Sequence, residues 1–454
     1  MFIPHTESER KEMLAAIGVE KIEDLFAAIP EKRRFPKLGL LKGMTEMEAS
    51  AQLREMAEAN LSLSNASCFL GAGAYYHYIP AAVDMLVSRG EFYTAYTPYQ
   101  PEISQGTLQG IFEYQSLIAR LTGMECANAS HYDGATACAE AGIMAYHQYR
   151  GKRKEILVSP GVHPHYLNVM QTYLSDFDGV KVIRPDFKSL EDITPANLVD
   201  GINENTAMVV VQYPDFFGQI YDFTELAEAV HAKGALLCVA VNPIALGLLK
   251  TPGEMGADVV VGEGQPLGIP LNFGGPYLGI FATRKDLIRK VSGRIVGETV
   301  DNRGQKGYVL TLTAREQHIR REKATSNICS NQGLNALTAA IYLSLLGKEG
   351  LREVASLCWN KAHYAAKQIN AIPGFKVLNT APFFHEFVVK CDAPVEELQE
   401  HMLNHSILGG YDLTGTYPQF DNCLLIAVTE MNSKDDIDDL CLILKGGCEH
   451  EHED

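Results

Sequence analysis

The chain has 454 residues, 46% hydrophobic and 21% charged, a globular composition long enough for two or three domains of about 100–200 residues. Its 39 basic and 56 acidic residues give a formal charge of −17, which repels phosphate backbones and argues against a nucleic-acid partner. No run reaches the roughly 18 apolar residues of a membrane span, and the opening MFIPHTESERKEM lacks the pattern of a secretory signal. The ten cysteines include no C-x-x-C pair, so zinc and thioredoxin-like sites have no support. A reduced, cytoplasmic protein is expected. The tail CEHEHED reads as a solvated terminus rather than a metal-ligand set.

Residues 1–90 mix short helical patterns with breakers and are expected to form an arm or cap. Ala49, Leu53, Met56 and Ala57 share one face of a predicted helix there. From 91 to 300, apolar runs alternate with helical segments. The strand candidates are EILVS, VKVIRP, AMVVVQYP, ALLCVAV and ADVVVG. Between them HYLNVMQTYLSDF and DFTELAEAVHAKG read as helices, the second with Asp222 at its N-cap and Gly234 at its C-cap. Continuous apolar strands separated by helices predict an α/β domain whose mostly parallel sheet is buried on both faces. From 301 to 454 a polar stretch, ETVDNRGQKGY, precedes a long apolar helix pattern, NQGLNALTAAIYLSLLG. KVL, FFHEFVVK and CLLIAVT then read as strands, and VEELQEHMLNH and SKDDIDDLCLIL as helices, a smaller α+β domain.

Four clusters could carry chemistry. EFYTAYTPYQPEISQG stiffens Tyr96, Thr97, Tyr99, Gln100 and Glu102 with prolines, which suits a site wall, an interface or a self-packed connector. Gly123 closes a helix, and Asp133, Gly134, Ala135 and Thr136 open another. Their small side chains allow close approach of an anion to the helix N-terminus, or simply close helix packing. REKATSNICSNQ offers Thr325, Ser326 and Asn327, with Asn331 as a candidate N-cap. EGQPLGIPLNFGGP permits close backbone approach but lacks the G-K-[ST] of a nucleotide loop. His163 and His165, two apart in GVHPHY, read as structural or capping rather than ligating.

Taken in order, YTPYQPEISQG, NASHYDGATACAEA, LLKTPGEMGADVVVG, the loop ending NFGGP and REKATSNICSNQ resemble the corresponding segments of the glycine cleavage system P-protein family. With PHTESER and the domain order, the resemblance spans essentially the whole chain. It implies the type I pyridoxal-phosphate transferase fold, and a split form whose two halves are separate chains. An enzyme of that fold needs a lysine beyond a large-domain strand to hold the cofactor. It also needs an aspartate on a neighbouring strand to keep the pyridine nitrogen protonated. No lysine lies between Thr251 and Arg284. Gln265 and Pro266 stand at its expected place, and neither has the amine an imine requires. No acid lies between Gly234 and Gly253, where Ala240, Val241 and Asn242 occupy the second position. Lys250 falls too early.

The resemblance therefore implies the lysine-free half of the split form. Its expected partners are a lysine-bearing subunit 2 that holds pyridoxal phosphate, and the lipoylated H-protein, which receives the aminomethyl group after glycine loses its carboxylate. Tyr96, Thr97, Tyr99, Gln100 and Glu102, then Thr325, Ser326 and Asn327, are the expected substrate-site wall at the subunit interface. Residues 133–136 are expected to be a vestigial phosphate loop. Two other readings stay open: a non-catalytic structural or regulatory partner of that enzyme, and a stand-alone pyridoxal-phosphate enzyme.

Overall fold

The computed structural model describes residues 5–93 and 97–446, which form two compact units, 1–62 and 63–454. Within the first, helices Glu7–Ile17 and Glu46–Glu58 each begin with a capping box, Thr6 with Glu9 and Thr45 with Glu48. These reciprocal bonds satisfy N–H groups that the helix itself leaves free. Ala49, Leu53, Met56 and Ala57 do lie on one helix, but none of the unit's described residues is buried within it. Residues 63–90 belong to the second unit, where Ser67–Cys68 pairs in parallel with Ile407–Leu408.

A seven-stranded sheet organises the second unit. Its strands are β1 (Cys126–Ala127), β2 (Glu155–Val158), β3 (Lys181–Ile183), β4 (Thr206–Tyr213), β5 (Leu236–Val241), β6 (Val259–Glu263) and β7 (Gly279–Thr283). Their spatial order is β3-β2-β4-β5-β6-β7-β1, with only β7 antiparallel to its neighbours. All five predicted strands are present. β5 shows why their apolar runs are unbroken. Leu237, Val239 and Val241 enter one buried cluster and Leu236, Cys238 and Ala240 the other. A strand covered on both faces has no polar side to alternate with.

Helices α1 (Gln105–Thr122), α4 (Thr224–Ala232) and the first part of α5 (Gly333–Ile369) cover one face. Helices α2 (Gly134–Gln148) and α3 (Pro164–Leu174) cover the other. Gly123 closes α1 at φ +71°. Helix α4 starts one residue later than expected. Its N-cap is Phe223, and the Asp222 carboxylate instead accepts from the N–H and hydroxyl of Thr224. The polar stretch ETVDNRGQKGY lies within a hairpin, β8 (Ile295–Val300) with β9 (Lys306–Thr311). Its outer residues are exposed.

Helix α5 is interrupted at Gly347 (φ 59°, ψ −169°), and its later part enters the small sheet domain. There β10 (Phe375–Val377), β11 (Glu386–Cys391), β13 (Cys423–Ala427) and β12 (Tyr411–Asp412) form an antiparallel sheet in that order. Helices α6 (Val395–Asn404) and α7 (Lys434–Leu444) cover it. The two sheets meet closely at Gly218, where an added Cβ would lie 1.9 Å from the Glu386 carbonyl oxygen. Only a glycine fits that approach.

Candidate active-site region

The strand ends β5 and β6 deliver the residues that matter. β6 ends at Glu263, and the next turn places Gln265 where a cofactor lysine is expected. Gln265 is 2% exposed, and its side chain is fully engaged. Its Oε1 accepts from the Tyr75 N–H at 2.9 Å, while Nε2 donates to the carbonyls of Tyr75 at 3.0 Å and Ile269 at 2.8 Å. Asn242, just past β5, donates from Nδ2 toward His385 Nε2 at 3.3 Å and accepts from the Ile244 N–H. No amine and no carboxylate stands at either position.

The N-terminus of α2 is occupied from within. Glu263 accepts from the N–H groups of Gly134 (3.0 Å), Gln265 (2.9 Å) and Leu278 (3.1 Å). Asp133 caps the Thr136 N–H at 2.8 Å. A Cβ on Gly134 would lie 1.8 Å from the Tyr166 hydroxyl, so the helix end is packed against protein. Helix N-termini offer free N–H donors, and here their acceptors are the chain's own carboxyl groups, Glu263 and Asp133. The cavity left between Gly73, Tyr75, His163, Asn242 and Pro266 measures about 30 Å³, room for about one water molecule. Pyridoxal phosphate does not fit these residues. It finds no tethering amine, no partner for its ring nitrogen, and, at the expected phosphate loop, a helix end already bonded to Glu263 and Asp133.

His163 caps α3, as expected. Its Nδ1 accepts from the His165 N–H at 3.0 Å, and Nε2 faces the Ala72 carbonyl at 2.7 Å. Another histidine, His77, enters a cluster that the sequence did not show. His77 Nδ1 lies 2.7 Å from Glu430 Oε2, and the Cys358 thiol donates to the same oxygen at 3.3 Å. These three could in principle ligate a metal, but Glu430 also accepts from the Tyr78 N–H. Glu430 is fully engaged, while among the described residues the buried His77 Nε2 has no hydrogen-bond partner.

Burial sets the titration behaviour of this region. It pushes the carboxyls of Asp215 and Glu386 up to about 7 and that of Glu263 to about 8. It pushes His131 and His385 down to about 3, and His163 to about 4. Raised carboxyls favour the fold below their ordinary values of 3.8–4.5 and lose that contribution as pH climbs to 7–8. Depressed histidines favour it above 6.5 and lose it as pH falls. Between 4.5 and 6.5 the two sets oppose one another. Above 6.5 only the carboxyls still titrate, so stability is expected to fall from pH 6.5 to pH 8. Urea denaturation midpoints at the two values check this, and a higher midpoint at pH 8 contradicts it.

The two polar clusters predicted as a site wall come together around an ion pair the sequence did not reveal. The Thr97 and Ser330 hydroxyls share a hydrogen bond of 2.6 Å. Arg294 lies 4.7 Å over the ring of Tyr99 and reaches Ser330 Oγ at 3.4 Å. Its guanidinium is held by Glu316 through two bonds of 2.7 Å, with both side chains buried. Burial works against the Arg294 charge, yet the Glu316 and Tyr99 contacts hold its pKa above the usual value. The Arg294 hydrogen bond and charge in turn hold Glu316 below its own, against its burial. Beside this pair a cavity of about 540 Å³ opens between Phe92, Thr97, Ile111, Ser330 and Leu334.

The remaining predicted wall residues do not all converge. Tyr96 lies outside the described residues. Gln100, Glu102 and Asn327 are exposed, and the Gln100 carbonyl accepts from the Ile103 N–H. Ser326 turns inward and donates to Glu140 Oε1 at 2.7 Å. Thr325 lines a separate cavity. Asn331 is not the cap of α5, whose N-cap is Gln332. Asn331 instead accepts from the Cys329 N–H and donates to the Tyr132 hydroxyl. It serves the turn rather than the helix.

Comparison with known proteins matches this architecture. The family model described as "Glycine cleavage system P-protein" covers residues 1–444. The probable glycine dehydrogenase (decarboxylating) subunit 1 of Thermomicrobium roseum is 51% identical over 445 residues, 98% of this chain and 99% of that one. A crystal structure of glycine decarboxylase (P-protein) of the glycine cleavage system, in inhibitor-bound form, superposes with a TM-score of 0.88. It is 41% identical and covers 98% of this chain and 100% of the other. Lactobacillus brevis glutamate decarboxylase, 14% identical with a TM-score of 0.67 over 93% and 97% of the two chains, shares the fold alone. The sheet order, the two-domain layout and full-length identity on this scale agree: the chain belongs to the glycine cleavage system P-protein family.

Proposed function

We propose that the chain is the lysine-free subunit of a two-subunit glycine dehydrogenase (decarboxylating), and that a homologous lysine-bearing subunit holds the pyridoxal phosphate. The observation that carries this reading is the self-filled site: Gln265 spent on Tyr75 and Ile269, and Glu263 seated on the α2 N-terminus. A chain closed in this way contributes to glycine decarboxylation only by lining a neighbour's site. The cofactor, when bound by the partner, supplies the electron sink for loss of carbon dioxide. The aminomethyl group then passes to the lipoyl arm of the H-protein, and the expected place of action is the cytoplasm.

This chain's own part is to position. The Arg294–Glu316 pair fixes Tyr99 and Ser330, and Ser330 fixes Thr97, so the segment 97–100 is held rigidly beside the 540 Å³ cavity. Glycine's departing carboxylate needs a poorly solvated wall that does not stabilise it too well. Neutral hydroxyls such as those of Tyr96 and Thr97 meet that need better than a cation would, while Tyr99, 57% exposed in this chain alone, serves there only once a partner covers it. Tyr96→Phe is expected to lower glycine decarboxylation in the assembled enzyme without separating the subunits. Unchanged turnover at saturating glycine together with an unchanged KM removes Tyr96 from the site.

The decisive experiment mixes purified chains. This chain alone is expected to stay colourless with pyridoxal phosphate and to yield no borohydride-labelled lysine peptide. Adding the lysine-bearing partner is expected to create glycine-dependent exchange of carbon dioxide. A lysine of this chain labelled through the cofactor would restore the stand-alone reading. Normal exchange after replacement of residues 96–102 would favour a purely structural partner.

A further inference from the structure

A second cavity, of about 300 Å³, opens beside the middle of α2, away from its N-terminus. Two short segments converge on it. Arg289 and Lys290 follow the turn Lys285–Leu287, and Arg320 and Lys323 come from the turns before Ser326. All four are exposed. Among the described residues none of the four forms an ion pair, although nearby Arg284 and Arg294 both do. Arg320 is steadied by a bond of 3.0 Å from Nε to the Ala314 carbonyl.

Four uncompensated cations around one cavity are costly, because like charges sharing a concave wall repel and the low-dielectric floor concentrates their field. The chain carries 56 acidic residues, yet the cavity holds only Glu140, which is 3% exposed and hydrogen-bonded to Ser326. Burial pushes the Glu140 carboxyl upward, which weakens the charge it sets against the cations. His147, on the same wall, is pushed downward by burial and then by Lys290. The hydroxyls of Ser292 and Thr325 complete the lining. The volume is at the lower end of the range for small-molecule sites. Arginine forks, lysine ammoniums and hydroxyl donors together suit a ligand with several anionic oxygens.

We infer that the cavity ringed by Arg289, Lys290, Arg320 and Lys323 binds a small, multiply charged oxyanion, with a phosphate-bearing molecule its chemical class. The site is distinct from the region beside Thr97 and does not depend on the function proposed above. Isothermal titration calorimetry of the full chain with inorganic pyrophosphate at low ionic strength tests it, with citrate as a second titrant. One saturable pyrophosphate site per chain is expected, weakening as salt is added. The variants Arg289→Ala/Lys323→Ala and Lys290→Gln/Lys323→Gln are each expected to lose affinity by about tenfold or more, the scale of one charge-assisted hydrogen bond. Lys152→Ala/Lys188→Ala, which alters two exposed lysines elsewhere, is expected to bind like the parent. Citrate binding of equal strength, lost in the same variants, would widen the class to polycarboxylates and uphold the oxyanion site. No binding of either titrant, or equal weakening in the Lys152/Lys188 variant, overturns it.

Discussion

Replacing Glu316 with glutamine is expected to destabilise the protein by about 3–5 kcal/mol. The loss arises because the Arg294 guanidinium stays buried while its compensating charge is gone. Two bonds of 2.7 Å in a site from which water is excluded make this pair unlike the exposed Lys–Asp pairs elsewhere in the chain, which contribute roughly 0–1 kcal/mol each. Replacing both partners, Arg294→Met with Glu316→Leu, is expected to recover most of the loss, since an apolar pair leaves nothing unsolvated. Urea denaturation of the two single variants and the double closes the cycle. A single substitution costing under about 1 kcal/mol, or a double as damaging as the single, would contradict the account. Activity should separate from stability in the double variant. With Arg294 gone from beneath Tyr99 and beside Ser330, the 97–100 segment loses its anchor, so glycine turnover by the complex should fall even where folding is restored.

The second large effect concerns Glu263→Ala. Three backbone N–H groups, those of Gly134, Gln265 and Leu278, lose their acceptor together. Each buried donor left without a partner costs about 1–3 kcal/mol, so a total of about 3 kcal/mol or more is expected. Acetate, which has the deleted carboxylate's own chemistry, should raise the Tm of the variant and leave that of the parent unchanged. Thermal denaturation with and without acetate reads this directly. A variant as stable as the parent, or acetate acting equally on both, would show that the carboxylate does not hold the helix end.

Sequence pattern was informative where one segment decides its own fate. β4, β5 and β6 are doubly covered strands, and their unbroken apolar runs said so. The missing lysine and aspartate were equally visible, because absence at an expected position needs no partner to interpret. What escaped depends on residues far apart. Glu263 meets Gly134 across 129 positions, Gln265 meets Tyr75 across 190, and Glu386 meets the Ala72 N–H across 314. No local period encodes such pairings. Arg294 and Glu316 also look like ordinary surface charges until the fold buries them 22 positions apart. The hairpin β8–β9 was missed for a third reason. Its apolar residues, Val296, Tyr308 and Leu310, bury only against Leu108 and its neighbours on α1, a pairing that the polar turn between the strands obscures.

The reciprocal bonds between Gln265 and the Tyr75 backbone also bear on how reversible the division of labour between the two halves can be. A Gln265→Lys substitution supplies an amine but strands the Tyr75 peptide group, leaves Glu263 bonded to the α2 N-terminus and meets a void the size of about one water. At least three concerted changes separate this half from a working centre, and each of the first two weakens the fold by itself. The packing thus locks the lysine-free arrangement in place.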